Sequence, residues 1–146
     1  MEFITKSAKE TQRVAARLTK DLIKLRGEVP GVFVLALEGE LGAGKTTFTQ
    51  GLARALKIKE SILSPTFVIM KRFPVKDKRL ADFYHLDCYR VSDFREIMAL
   101  GFGQIIAEPQ GLVVIEWAEK IKDILPPDTI WLKFEHKGGD KRKIKM

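Results

Sequence analysis

Cysteine is almost missing from this chain: Cys88 is the only one among 146 residues. A single thiol excludes an internal disulfide and suits a reducing compartment. A free cysteine is most often a small buried filler. No apolar run approaches the roughly 20 residues that a membrane helix needs. Met1-Glu-Phe-Ile-Thr-Lys-Ser7 lacks the basic start and long apolar stretch of a secretory signal. These absences lead us to expect a cytoplasmic protein with no membrane partner. There is also no cysteine–histidine cluster for zinc, no Gly-x-Ser-x-Gly nucleophile elbow and no dinucleotide fingerprint. Repeats, low-complexity tracts and a linker long enough to split the chain are absent too. With 45% hydrophobic and 31% charged residues, the composition is globular rather than disordered, and 1–146 is expected to form a single domain with its own core.

What the chain does contain is Gly39-Glu-Leu-Gly-Ala-Gly44-Lys45-Thr46, which fits the phosphate-binding pattern Gly-x-x-x-x-Gly-Lys-Ser/Thr at every defined position. The apolar run Val32–Leu37 before it reads as a buried strand, and Thr47–Leu56 after it has the composition of a helix. That strand–turn–helix context is what makes the motif a site. Glycines allow a tight turn whose N–H groups point inward, and those donors, with the positive end of the helix, hold phosphate oxygens. Residues Gly39, Glu40, Leu41, Gly42, Ala43, Gly44, Lys45, Thr46 and Thr47 are therefore the expected nucleotide cradle. Lys45 is expected to neutralise the β- and γ-phosphates and the Thr46 hydroxyl to ligate Mg²⁺. An Asn/Thr-Lys-x-Asp guanine-reading motif is absent, which points to ATP.

Around this motif the chain reads as alternating helices and strands. Ser7-Ala-Lys-Glu10 has the form of a capping box. Thr11, Val14, Ala15, Leu18, Leu22 and Leu25 follow as one stripe of an amphipathic helix, stopped at Gly27 and Pro30. Two β-rich runs, Phe67–Phe73 and Leu80–Leu86, are close enough for a hairpin. A helical region over Asp93–Leu100 is interrupted at Gly101-Phe-Gly103. Leu112–Ile115 is short and wholly apolar, as a central strand buried on both faces would be. A short helix over Ala118–Leu125 leads to two final strands, Thr129–Glu135 and Lys141–Lys145, joined at Gly138-Gly139. The expected fold class is α/β: one P-loop NTPase domain whose central sheet is mixed, partly antiparallel and flanked by helices.

Hydrolysis needs more than a cradle. Glu116 ends the apolar run, where P-loop enzymes place the acid that holds Mg²⁺; its plainer reading is a polar strand end. Alternation puts His85, Asp87 and Tyr89 on one face, a costly set to bury unless its members bond one another or a ligand. Asp87 is a candidate to position water or share the metal, and His85 to orient it or simply to serve as a bonded structural histidine. Arg90 is a candidate partner for Asp87 or phosphate. Thr66, in Ser64-Pro-Thr-Phe67, is either a switch threonine that senses the γ-phosphate or part of a plain turn.

Taken together, Leu37–Phe48, Ser-Pro-Thr-Phe (64–67), His-x-Asp-x-Tyr-Arg (85–90) and Ile-Glu-Trp-Ala-Glu (115–119) resemble the TsaE family of small bacterial P-loop ATPases over nearly the whole chain. The resemblance implies an ATPase acting in the threonylcarbamoyladenosine modification of transfer RNA, weak alone and docking on the partner pair TsaB and TsaD. It implies roles for Lys45 and Thr46 at phosphate and Mg²⁺, for Glu116 as the acidic metal ligand, for Asp87 in hydrolysis and for Thr66 as a switch. It also implies a place for Trp117 beside the nucleotide, with Thr11 and Arg142 as candidates near the base. Cys88 and Phe73 stand where the family commonly has leucine and tyrosine, and both keep an apolar body. The net charge of +7, with basic stretches at 71–79 and 137–145, suits direct contact with transfer RNA, an acidic protein face or a solvated surface. A small-molecule kinase and a nucleic-acid-binding NTPase are the alternative readings of the same cradle.

Overall fold

The structure is a computed structural model and describes residues 1–26, 30–63, 68–77 and 79–146. Gly27 and Ser64-Pro65-Thr66-Phe67 lie outside the described residues. The strands are β1 (Glu2–Thr5), β2 (Gly31–Gly39), β3 (Met70–Pro74), β4 (Asp82–Asp87), β5 (Gln110–Glu116), β6 (Ile130–His136) and β7 (Arg142–Lys145). The helices are α1 (Ala8–Arg26), α2 (Lys45–Ala55), α3 (Arg95–Met98) and α4 (Phe102–Ile106), with a 3-10 helix over Ala118–Ile124.

Among the described residues, the seven strands join one sheet in the order β1-β7-β6-β2-β5-β4-β3. The middle four run parallel: β2 pairs with β5 and β6, and β4 pairs with β5. β3, β7 and β1 are added antiparallel at the two flanks. This is the mixed sheet expected from the sequence, and the apolar run within β5 lies in its interior, between β2 and β4, with every residue from Gly111 to Glu116 buried.

Register decides which side chains share a face. Leu37, Glu116 and Asp87 are aligned across β2, β5 and β4, so they emerge together at the carboxyl ends of the parallel strands. Helices α1 and α2 cover that face through a core containing Leu35, Leu37, Phe48, Leu52, Phe83, Leu112, Val114 and Phe134. Phe48 of α2 meets Phe134 of β6 edge-on, with ring centroids 5.4 Å apart. Burying a side chain of that size stabilises the fold by about 1.5–3 kcal/mol. Close approach of the two helices depends on Gly51, where an added Cβ would lie 2.5 Å from the Gln12 Cα. The opposite face packs Val34, Ala36, Leu86, Val113 and Ile115 against Ile97, Phe102 and Ile121.

Several local expectations change. Strand β1 has no strong signature in the sequence: only Thr5 is buried along it, and its pairing with β7 comes from the far end of the chain. Leu25 belongs to the periodic stripe but is 47% exposed in the last turn of α1. Gly101, at φ 87°, begins α4, and Phe102 enters that helix fully buried. The short helix expected after β5 is present as a 3-10 helix with a kink at Ile121. Alternation does not carry Tyr89 onto the face of His85 and Asp87: β4 ends at Asp87, and Tyr89 sits in a turn, 47% exposed.

Cys88 is fully buried, and burial pushes its thiol up to about 12. The unfolded chain ionises this thiol from about pH 8.5 upward, so it sheds its proton well before the folded chain does. Stability should therefore fall as pH rises from about 9 toward 12, at up to about 1.4 kcal/mol per pH unit from this group. Urea titrations of wild type and Cys88→Ala at pH 7.5, 9 and 10.5 check it: the wild type should lose stability faster with pH than the variant.

Candidate active site at the carboxyl ends of the parallel strands

The P-loop connects β2 to α2. Gly44, the residue before the helix, has φ 103°, a left-handed conformation that glycine adopts without the Cβ penalty of other residues. That turn aims the first N–H groups of α2 back toward the loop. Lys45 is 4% exposed; its ammonium donates to the carbonyl oxygens of Gly39 at 2.5 Å and Glu40 at 2.8 Å. It also lies 4.2 Å from the centroid of the Trp117 ring, within cation–π range. Burial pulls the Lys45 ammonium below its usual range, opposed by the carboxylates of Glu116, Glu119, Asp87 and Glu40.

A connected set of polar groups joins the three strands. The Thr46 hydroxyl donates to Glu116 Oε1 at 2.6 Å, and Glu116 Oε2 lies 2.5 Å from His85 Nε2. Glu116 and His85 are each 2% exposed, a depth at which such groups need partners, and each supplies the other's. Asp87 is 7% exposed, and its Oδ1 accepts the Tyr89 N–H at 2.9 Å. Trp117 follows directly in a left-handed conformation, φ 59°, which costs a non-glycine residue roughly 1–2 kcal/mol. Strain of this kind persists where the surroundings hold it in place.

Two clefts flank the loop and divide the nucleotide-binding residues expected from the sequence. One, of about 270 Å³, is lined by Ala8, Thr11, Gly42, Gly44, Lys45, Thr46, Thr47, Asp140 and Arg142. Helix α1 and the β6–β7 connection thus meet over the start of α2. The Arg142 stem packs over Gly44, and its guanidinium donates to the carbonyls of Gly139 and Lys141. The Thr11 hydroxyl is shared with Thr5 at 2.8 Å, so Thr11 contributes a wall more than a free donor. The other cleft, of about 660 Å³, takes Gly39, Glu40 and Leu41 together with Trp117, Glu38 and Glu119. Trp117 therefore lines a different cleft from Thr11 and Arg142. Ala43 is fully buried and supports the loop from below. Arg90 is exposed. Ala8 and Asp140 are cleft residues that the sequence reading passed over; Ala8 lies at the start of the helix that carries Thr11, and Asp140 in the turn just before Arg142.

The Thr46 hydroxyl and Glu116 carboxylate form a pair of hard oxygen donors suited to Mg²⁺. Among the described residues no group of three or more His, Cys, Asp and Glu side chains could hold a metal by itself. A cation here would thus draw on phosphate and water for its remaining ligands, which suits Mg²⁺ well. Among the described residues no helix is long and apolar enough to cross a membrane.

Comparison with known proteins gives the family. The family model "Threonylcarbamoyl adenosine biosynthesis protein TsaE" matches residues 5–144. Proteins described as tRNA threonylcarbamoyladenosine biosynthesis protein TsaE are similar over nearly the whole chain. That of Bacillus subtilis is 38% identical, covering 99% of this chain and 83% of its own length. That of Aquifex aeolicus is 33% identical, covering 100% and 98%. A solved structure, the crystal structure of Bacillus subtilis YdiB, superposes with a TM-score of 0.68 at 31% identity, covering 99% of this chain and 82% of that one. With the family model spanning the P-loop, the His-x-Asp strand and the Glu-Trp strand end, the chain belongs to the TsaE family.

Proposed function

We propose that this chain is a Mg²⁺-dependent ATPase of the cytoplasm that supports a TsaB–TsaD pair in forming threonylcarbamoyladenosine on transfer RNA. The observation that carries the reading is the Thr46–Glu116–His85 chain of hydrogen bonds beside Asp87, at the strand ends next to a P-loop lysine. The N–H groups of Gly42 to Thr47 and the Lys45 ammonium would hold the phosphates, with Lys45 leaving its loop carbonyls for the β- and γ-oxygens. Thr46 and Glu116 would hold Mg²⁺, and His85 orients the Glu116 carboxylate. Bound Mg²⁺ supplies neutralisation of charge developing on the phosphates. Asp87, at the same edge, orients the attacking water and takes up its proton. Thr11 and Arg142 wall the cleft in which the base would sit. The relatives' names place them in transfer-RNA modification, and the +7 charge suits contact with transfer RNA itself.

Phosphate release from Mg²⁺-ATP, measured for the chain alone and with a TsaB–TsaD pair, tests this. We expect slow release alone and faster release with the pair. Asp87→Asn should lower the stimulated rate about a hundredfold, the scale of a general base, with ATP affinity nearly unchanged. Normal turnover in that variant, or indifference to the pair, would overturn the assignment.

A further inference from the structure

Outside the residues that meet phosphate or metal, one lysine occupies a position that the hydrolytic role leaves unused. The Lys120 ammonium donates to the carbonyl oxygen of Tyr89. It also lies 5.4 Å from the Tyr89 ring centroid and 5.8 Å from that of Trp117. The Tyr89 and Trp117 rings are themselves in contact, centroids 5.1 Å apart and tilted by 49°. Tyr89 is past the end of β4 and is held at both of its backbone polar groups, its N–H by Asp87 and its carbonyl by Lys120. Trp117 is past the end of β5 in a left-handed conformation, so sheet geometry does not set where its ring points. Contacts from the turn, from the 3-10 helix and from the buried cluster it packs against set it, and the Lys45 ammonium rests on that ring at 4.2 Å.

We infer that Lys120 is a positioning residue for the P-loop lysine: it clamps Tyr89 against Trp117, and the Trp117 ring in turn holds Lys45 beside the phosphate cradle. The inference rests on the proposed role of Lys45 at phosphate. Lys120 itself touches neither the loop nor the metal pair. Its effect passes through two aromatic rings whose placement no backbone hydrogen-bond ladder enforces. An exposed lysine thereby bears on nucleotide affinity from outside the cradle.

The test uses the full chain with Trp131→Phe, so that Trp117 is the sole tryptophan. Lys120→Met keeps the aliphatic stem and removes the charge. Without nucleotide, acrylamide should quench Trp117 emission more strongly in Lys120→Met than in the parent. ATP affinity by calorimetry should weaken about fivefold, the scale of one cation–π-type contact. The melting temperature should stay with the parent, because the lost side chain is exposed. Lys120→Arg, which can both reach the carbonyl and stack, should restore quenching and affinity. Parental affinity in Lys120→Met, unchanged quenching, failure of Lys120→Arg to restore either, or a loss matched by a lower melting temperature each overturns the clamp. Lys45→Met is measured in parallel. If it binds ATP as the parent does, the proposed role of Lys45 fails and the clamp with it; if it does not bind while Lys120→Met is normal, the clamp alone fails.

Discussion

Lys45→Met should abolish measurable ATP binding while leaving the fold about as stable as wild type. The ammonium sits at the mouth of the cradle and has only to leave two backbone carbonyls to meet phosphate. A charged hydrogen bond contributes about 1.5–3 kcal/mol, so losing contacts to two phosphates weakens affinity by at least about a hundredfold. Stability behaves differently because burial already works against this charge. Methionine of similar length would remove a partly desolvated cation and keep packing against Trp117. Against that stands the loss of two hydrogen bonds to Gly39 and Glu40, leaving a net change within about 1 kcal/mol. Calorimetric titration with ATP and urea unfolding, run on the same preparation, read the two effects separately. Tight ATP binding by the variant would remove Lys45 from the site.

Glu116→Gln should bind ATP and lose nearly all turnover, whereas Glu116→Ala should lose stability as well. Glu116 is the junction of the polar chain, bonded to Thr46 through one oxygen and to His85 through the other. Glutamine keeps the shape and one acceptor oxygen, but it turns the other acceptor into a donor and lacks the negative charge that a metal ion requires. Removing one preorganised charge-stabilising group commonly costs about 10²–10³-fold in rate. Alanine goes further and leaves His85, 3% exposed at its side chain, without that partner, at about 1–3 kcal/mol for a buried unsatisfied group. Phosphate release at saturating Mg²⁺-ATP together with melting temperatures distinguishes the two variants. If Glu116→Gln turned over normally, the metal role would pass to another group.

How much of this was legible in the sequence varies by residue in a physical way. The P-loop, β2 and α2 were legible because each is specified within a dozen residues: an apolar run, glycines at fixed offsets, then helix formers. The centre of β5 was legible because a strand buried on both faces cannot carry polar side chains until it ends, and Glu116 marks that end. Strand β1 was not legible, since an edge strand with a single buried residue leaves almost no pattern. Tyr89 was misplaced because period-two alternation holds only while the strand lasts, and β4 stops two residues earlier. Thr66 falls in a segment outside the described residues.

By itself the sequence determined a Gly-x-x-x-x-Gly-Lys-Thr loop on a strand–helix unit, a mixed α/β sheet and a family resemblance that singled out Glu116 and Asp87. Those features are local, written in residues close together along the chain. The tertiary structure alone decided that Glu116, rather than Asp87, is the group His85 bonds, that Thr46 meets the same carboxylate 70 positions away, and that Trp117 lines a different cleft from Thr11 and Arg142. Each depends on strand register and on which helix covers which face. Those are set by burial of the whole core, and no short stretch of residues encodes them.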